Sequence, residues 1–128
     1  MEPHEVEPTT LMWWMHRRIA PERFPPRRTV IEWRHTAPQP DTIWFVLEHS
    51  AVSVCTQHPG FDIDLVVTMA TADLADVFQG YRRWQEAVDS GAIEVSGPPR
   101  LAAALPTWFV WSPWVDVTHA RAHRPVSA

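Results

Sequence analysis

The stretch "SGAIEVSGPPRLAAALPTWF", residues 90–109, decides the predicted fold. Gly91 ends one element, a short strand runs from there to Gly97, and Pro98 and Pro99 suit the first turn of a helix. The apolar side chains of that helix share one face: Leu101, Ala104, Leu105 and Trp108. Because the helix carries no reactive side chain, we expect it to cover an apolar surface.

Four strands are predicted upstream of this stretch, from the alternation of apolar and polar residues and the content of β-branched and aromatic residues. They cover residues 28–34, 42–48, 51–57 and 62–70, and the second of them, "TIWFVLE", is apolar on both faces. The connections between them are short, which favours antiparallel neighbours. A meander is therefore the simplest predicted topology.

Three further helices are predicted from a helical repeat of apolar residues, at 9–18, 71–80 and 81–91. In the last helix, Pro106 disfavours helical geometry at Leu105, so a kink or a restart is expected there. The predicted order is one helix, four strands, two helices, one strand and one helix. Such an order indicates an α+β fold, an antiparallel sheet with its helices grouped on one face.

Composition excludes several classes of protein. The chain has 128 residues, 45% of them hydrophobic and 20% charged, which predicts one globular domain. A net charge of -4 argues against direct nucleic-acid binding. No apolar run approaches the roughly 20 residues that span a bilayer. The acidic N-terminus and the single Cys55 predict a cytoplasmic protein without a disulfide. All 11 basic residues are arginine, which indicates a GC-rich, actinobacterial type of coding sequence.

The predicted domain boundaries follow the loss of periodicity at both ends. Residues 1–8 are predicted to be a flexible N-terminus, residues 9–114 the folded domain, and residues 115–128 a flexible tail.

Four segments resemble the sterol carrier protein 2-like (SCP2) family: "DLVVT", "ADLADVFQG", "AVDSGAIEVSG" and "PPRLAAALPTWF". The detail is most similar to the SCP2-like domain appended to winged-helix bacterial regulators of the HxlR type, through "LMWWMHRR", "PPRRTVIEW" and "LPTWF". The resemblance implies a twisted, five-stranded, largely antiparallel sheet with helices on one face that enclose an apolar cavity. Since no winged-helix segment precedes residue 9, a regulatory function is not carried over directly.

The resemblance also implies a ligand, a lipid-like or other hydrophobic or amphipathic small molecule held between sheet and helices. We expect nine residues to line that cavity: Trp44, Val46, Leu65, Val67, Phe78, Trp84, Leu101, Leu105 and Trp108. The alternative is that the same side chains simply pack the core, because a pocket wall and a core face have the same pattern. The arginines between Arg17 and Arg34 would hold an acidic headgroup or form a solvated rim.

A metal site is considered at the C-terminus, where Asp116, His119 and His123 would share one helical face. No glutamate lies between the histidines and no fourth ligand is present, so no metal and no cofactor are predicted.

Catalytic groups are also considered. Cys55, with His49 and His58 nearby in the sequence, is the best thiol candidate, but a small buried side chain explains it better. Asp62 and Asp64 are explained as the solvent face of an edge strand. Because no catalytic motif is present, the predicted function is non-catalytic binding.

A second hypothesis is an interaction module. The first helix carries Leu11, Trp13, Trp14 and Met15, and an exposed apolar patch would dock another protein, a separate transcriptional regulator for example, or a second copy. Membrane contact is expected to be transient at most.

Overall fold

The computed structural model describes residues 7–110. The order of elements is the predicted one, and a restart follows the last helix as Pro106 indicated. The helices and strands are α1 (Pro8–His16), β1 (Thr29–His35), β2 (Asp41–Glu48), β3 (Ala51–Cys55), β4 (Leu65–Met69), α2 (Thr71–Gln79), α3 (Trp84–Asp89), β5 (Ile93–Ser96), α4 (Pro99–Ala104) and a 3₁₀ helix (Leu105–Trp108).

The five strands form one sheet in the order β3-β2-β1-β4-β5. The pairs β1–β2, β2–β3 and β4–β5 are antiparallel, so the sheet is largely antiparallel as predicted. A meander through all four early strands is wrong, however, because β4 pairs with β1 and runs parallel to it. The predicted fourth strand began at residue 62, whereas β4 begins at Leu65, which leaves residues 56–64 as a linker. That linker is long enough to cross from the outer edge of β3 to the far side of β1.

The two faces of the sheet have different covers. The helix face is the side that packs against the helices; it carries Ile31, Trp33 and His35 of β1, Phe45 of β2, Leu65 and Val67 of β4 and Val95 of β5. The loop face is the opposite side; it carries Val30, Glu32, Trp44 and Val46. The linker 56–64 lies on the loop face, where the His58 ring packs on Trp44 with 5.5 Å between ring centroids.

Helix α1 buries one side and leaves an aromatic side chain exposed on the other. Leu11, Met12 and Met15 are fully buried in the core, whereas Trp13 stays 48% exposed. Helix α2 ends at Gly80, whose φ of 88° is left-handed and suits a residue without a Cβ. No helix within residues 7–110 is both long and apolar enough to cross a bilayer.

Candidate functional site

The helix face is the apolar surface that the last helix was expected to cover. Seven of the nine predicted lining residues lie in or against the core on this side: Leu65, Val67, Phe78, Trp84, Leu101, Leu105 and Trp108. Leu65, Val67 and Leu105 are fully buried, while Phe78 and Leu101 are half-buried at its margin. The structure therefore brings these seven together in one core cluster. The apolar cavity that they were expected to enclose stays a prediction.

Trp44 and Val46 lie on the loop face, so the structure separates them from the other seven. In β2 the side chains that face the helices are those of Ile43, Phe45 and Leu47, all fully buried. Because "TIWFVLE" is apolar on both faces, alternation alone chose the wrong side. The even-numbered side chains of β2, Trp44 and Val46, are covered instead by the linker 56–64, which crosses the loop face.

A small polar cluster occupies the loop face around Trp44. The Trp44 indole N–H donates to Glu32 Oε1 at 2.9 Å, and the Arg34 guanidinium donates to the other carboxylate oxygen of Glu32. Glu32 is buried, and these two donors satisfy a carboxylate that would otherwise be costly to bury. The cluster thus explains a buried charge rather than indicating a reactive one.

Residues 99–108, which we call the lid, comprise α4 and the 3₁₀ helix. The end of the lid is tied to the segment after α1: the Ala20 N–H donates to the Trp108 carbonyl at 2.8 Å, and an antiparallel bridge joins Ile19 to Phe109. Helix α4 itself has no buried residue. The lid is consequently well anchored at its far end and loosely seated at its start.

A pocket of about 270 Å³, lined mostly by apolar side chains, lies under the middle of the lid. Its walls come from α3, β5, α4 and the 3₁₀ helix, namely Trp84, Gln85, Val88, Val95, Ala102, Ala103 and Pro106. Ligand pockets usually hold roughly 300–1,000 Å³. The volume of this pocket is therefore just below that of typical ligand pockets. Its floor is Val95, which lies on the helix face of the sheet.

Two buried nitrogen atoms on the helix face are unsatisfied. Among the described residues, the Trp33 indole Nε1 and the His35 Nε2 are buried without a hydrogen-bond partner. The other ring nitrogen of His35, Nδ1, lies 2.9 Å from the Thr71 hydroxyl at the start of α2. Burial lowers the pKa of His35 from 6.5 to about 4, although the negative charge of Asp41 acts to raise that pKa. His35 is therefore uncharged at neutral pH.

Sequence analysis missed Trp33 and His35 as a pair. They are two residues apart on β1, which puts them on the same face of the sheet. The alternation in "RTVIEWR" sets Trp33 on one side of the strand with Thr29 and Ile31, but it does not say which side is buried. It carried no signal for His35, because that burial depends on α2, which follows much later in the chain.

The other sequence candidates have ordinary roles or lie outside the described residues. Asp64 precedes β4 and accepts a hydrogen bond from the Val30 N–H at 2.8 Å, so it is a structural carboxylate and not the face of an edge strand. Cys55 is half-buried at the end of β3. Within residues 7–110, no three His, Cys, Asp or Glu side chains cluster closely enough to hold a metal ion. The suggested site at Asp116, His119 and His123 lies outside this range.

The arginines between α1 and β1 are mostly engaged by the protein itself. Arg28 bonds to Glu48 at 2.9 Å and packs over the Phe61 ring at 3.7 Å. Arg27 lies 3.6 Å from Asp64. To hold an acidic headgroup, these arginines would have to exchange the contacts that they make within the protein. That role stays a prediction.

Comparison with solved structures places this architecture. SCP2-L2 from Aedes aegypti superimposes with a TM-score of 0.59 at 22% identity, covering 77% of this chain and 93% of that one. The solution structure of palmitated SCP2L2 from the same species gives 0.58 at 21% identity, covering 89% and 96%.

The chain has a sterol carrier protein 2-like fold. The stereoselective inverting sec-alkylsulfatase Pisa1 from Pseudomonas sp. also contains it, with a TM-score of 0.64 at 14% identity. That match covers 84% of this chain, and this chain spans only 17% of the sulfatase. No protein-family model matches the sequence, and no curated protein does. The link to HxlR-type regulators stays a prediction.

Proposed function

We propose that this SCP2-like domain binds an apolar or amphipathic small molecule between its helix face and its lid, without chemical transformation. The observation that carries the proposal is the apolar pocket of about 270 Å³ whose floor is Val95, under a helix with no buried residue. A ligand larger than this pocket enters by lifting the start of the lid while the end stays fixed to Ile19 and Ala20.

Two further points support binding. One protein of the same fold, SCP2L2 from Aedes aegypti, has been solved as a palmitated form. The side chains of the helix face are also largely apolar, and each methylene removed from water contributes about 0.8 kcal/mol before the costs of association. A chain of about ten methylenes would therefore gain roughly 8 kcal/mol of transfer free energy.

A pair of matched variants tests the proposal. Ala102→Phe fills the pocket from the lid, whereas Ala51→Phe adds the same ring at an exposed end of β3. Titration with a fluorescent polyene fatty acid should show a loss of at least tenfold in affinity for Ala102→Phe and no change for Ala51→Phe. Native mass spectrometry of the purified chain, followed by organic extraction, should reveal the class of the bound molecule. Equal affinity in both variants would place the ligand elsewhere or nowhere.

A further inference from the structure

We propose that Trp33 and His35 hold the polar end of the bound molecule, and that this end is a carbonyl oxygen. The inference rests on the proposed function and extends it to the residues that orient the ligand.

The two unsatisfied nitrogens are the exception among the buried side-chain polar atoms of residues 7–110. Polar groups buried without a hydrogen bond each cost on the order of 1–3 kcal/mol, so native cores rarely keep them. The indole N–H of Trp44 on the loop face has a partner in Glu32. On the helix face, the Trp33 Nε1 and the His35 Nε2 have no partner among residues 7–110. A ligand oxygen placed within hydrogen-bond distance of both atoms would satisfy both.

The chemistry of the two groups selects an acceptor. An indole nitrogen is only a donor, so Trp33 requires an oxygen with a free lone pair. When the Thr71 hydroxyl donates to His35 Nδ1, the proton of the neutral ring lies on Nε2, which is then a second donor. A carbonyl oxygen has two lone pairs and accepts from both donors at once.

The position of the pair relative to the pocket suits an elongated ligand. Val95 at the pocket floor lies opposite Val67, and Val67 lies opposite Trp33, so the three form one row across the helix face. Neighbouring strands are about 4.8 Å apart, which puts Trp33 roughly 10 Å from the pocket floor. An alkyl chain seated under the lid would reach across β4 and bring its polar end to β1.

The test uses three probes of the same chain length: palmitic acid, its methyl ester and the corresponding hydrocarbon. Trp33→Phe removes the donor and keeps an aromatic ring, and Trp44→Phe makes the same change on the loop face. Trp33→Phe should weaken the acid and the ester by on the order of tenfold and leave the hydrocarbon unchanged. Trp44→Phe should leave all three affinities unchanged. A loss for the acid alone would identify a free carboxyl group as the ligand's end.

The outcomes separate this inference from the proposed function. If the natural chain binds none of the probes, the proposed function and the inference both fail. If it binds all three and Trp33→Phe weakens none, or weakens the hydrocarbon equally, the proposed function stands and the inference fails. Should Trp33→Phe not fold, NMR of the natural chain decides: the assigned Trp33 indole N–H resonance shifts with acid and ester but not with hydrocarbon. If the Trp33 indole N–H resonance shifts with none of the three probes, the inference is overturned.

Discussion

Protonation of His35 should destabilise the fold as the pH falls. The side chain is 2% exposed, and its pKa is lowered from 6.5 to about 4, chiefly by burial. In the unfolded chain the ring gains a proton near pH 6.5, whereas in the folded chain it stays neutral until about pH 4. The unfolded state therefore binds more protons within that window, and the free energy of unfolding falls there as the pH decreases.

The size of the effect follows from the same two values. Each pKa unit corresponds to about 1.4 kcal/mol, so the interval between 6.5 and about 4 corresponds to about 3 kcal/mol. A domain of ordinary stability has about 5–15 kcal/mol in total. Loss of this amount is large enough to measure and small enough to leave a folded population.

Urea unfolding at a series of pH values between 7.5 and 4 measures the effect. His35→Gln removes the titrating group and keeps a side chain that hydrogen-bonds to Thr71. The natural chain should lose about 3 kcal/mol more than this variant across the series, because carboxyl groups contribute equally to both.

A control removes an exposed histidine instead. His49 lies in the turn between β2 and β3 with a φ of 53°, a conformation that asparagine tolerates. His49→Asn should keep the pH slope of the natural chain. If His35→Gln keeps that slope as well, His35 is not the group that titrates, and the argument from burial is refuted.

Two mutational predictions concern packing. Gly97→Ala should destabilise by roughly 1–3 kcal/mol, since φ is 144° and the new Cβ would lie 2.6 Å from the Asp64 carbonyl oxygen. Gly60→Ala also has a positive φ, 85°, but open space around it, so it should cost less; equal denaturation midpoints would contradict the clash. Leu105→Ala should lower the free energy of unfolding in urea by about 2–5 kcal/mol, because the side chain is fully buried. Leu101→Ala should lower it clearly less, since Leu101 is half-buried. Similar losses in the two variants would mean that the lid packs evenly along its length.

Local patterns predicted the elements of this fold well. Alternation in "RTVIEWR" and "IEVSG" located β1 and β5, and Pro106 correctly indicated the break before the 3₁₀ helix. Each of these signals depends on neighbours within a few residues, which is the range over which period and proline geometry act.

Longer-range features were predicted less well. The parallel pairing of β1 with β4 depends on where the linker 56–64 crosses, and no local pattern encodes that path. The side of the sheet that Trp44 occupies depends on that same linker. The burial of the Trp33 and His35 nitrogens depends on residues far away in the chain, Phe109 beside Trp33 and Thr71 beside His35, so local patterns do not reveal it.

The parallel pairing of β1 with β4 has a consequence for how the chain folds. Strands β1, β2 and β3 join through short hairpins, and we expect them to form first because their contacts are local. The later half meets them at one ladder, where Ile31 pairs with Leu65, and we expect closure of the loop between these two residues to be the slower step. Cutting the chain within residues 56–64 would remove the tether, so that assembly of the two fragments would depend on their concentration.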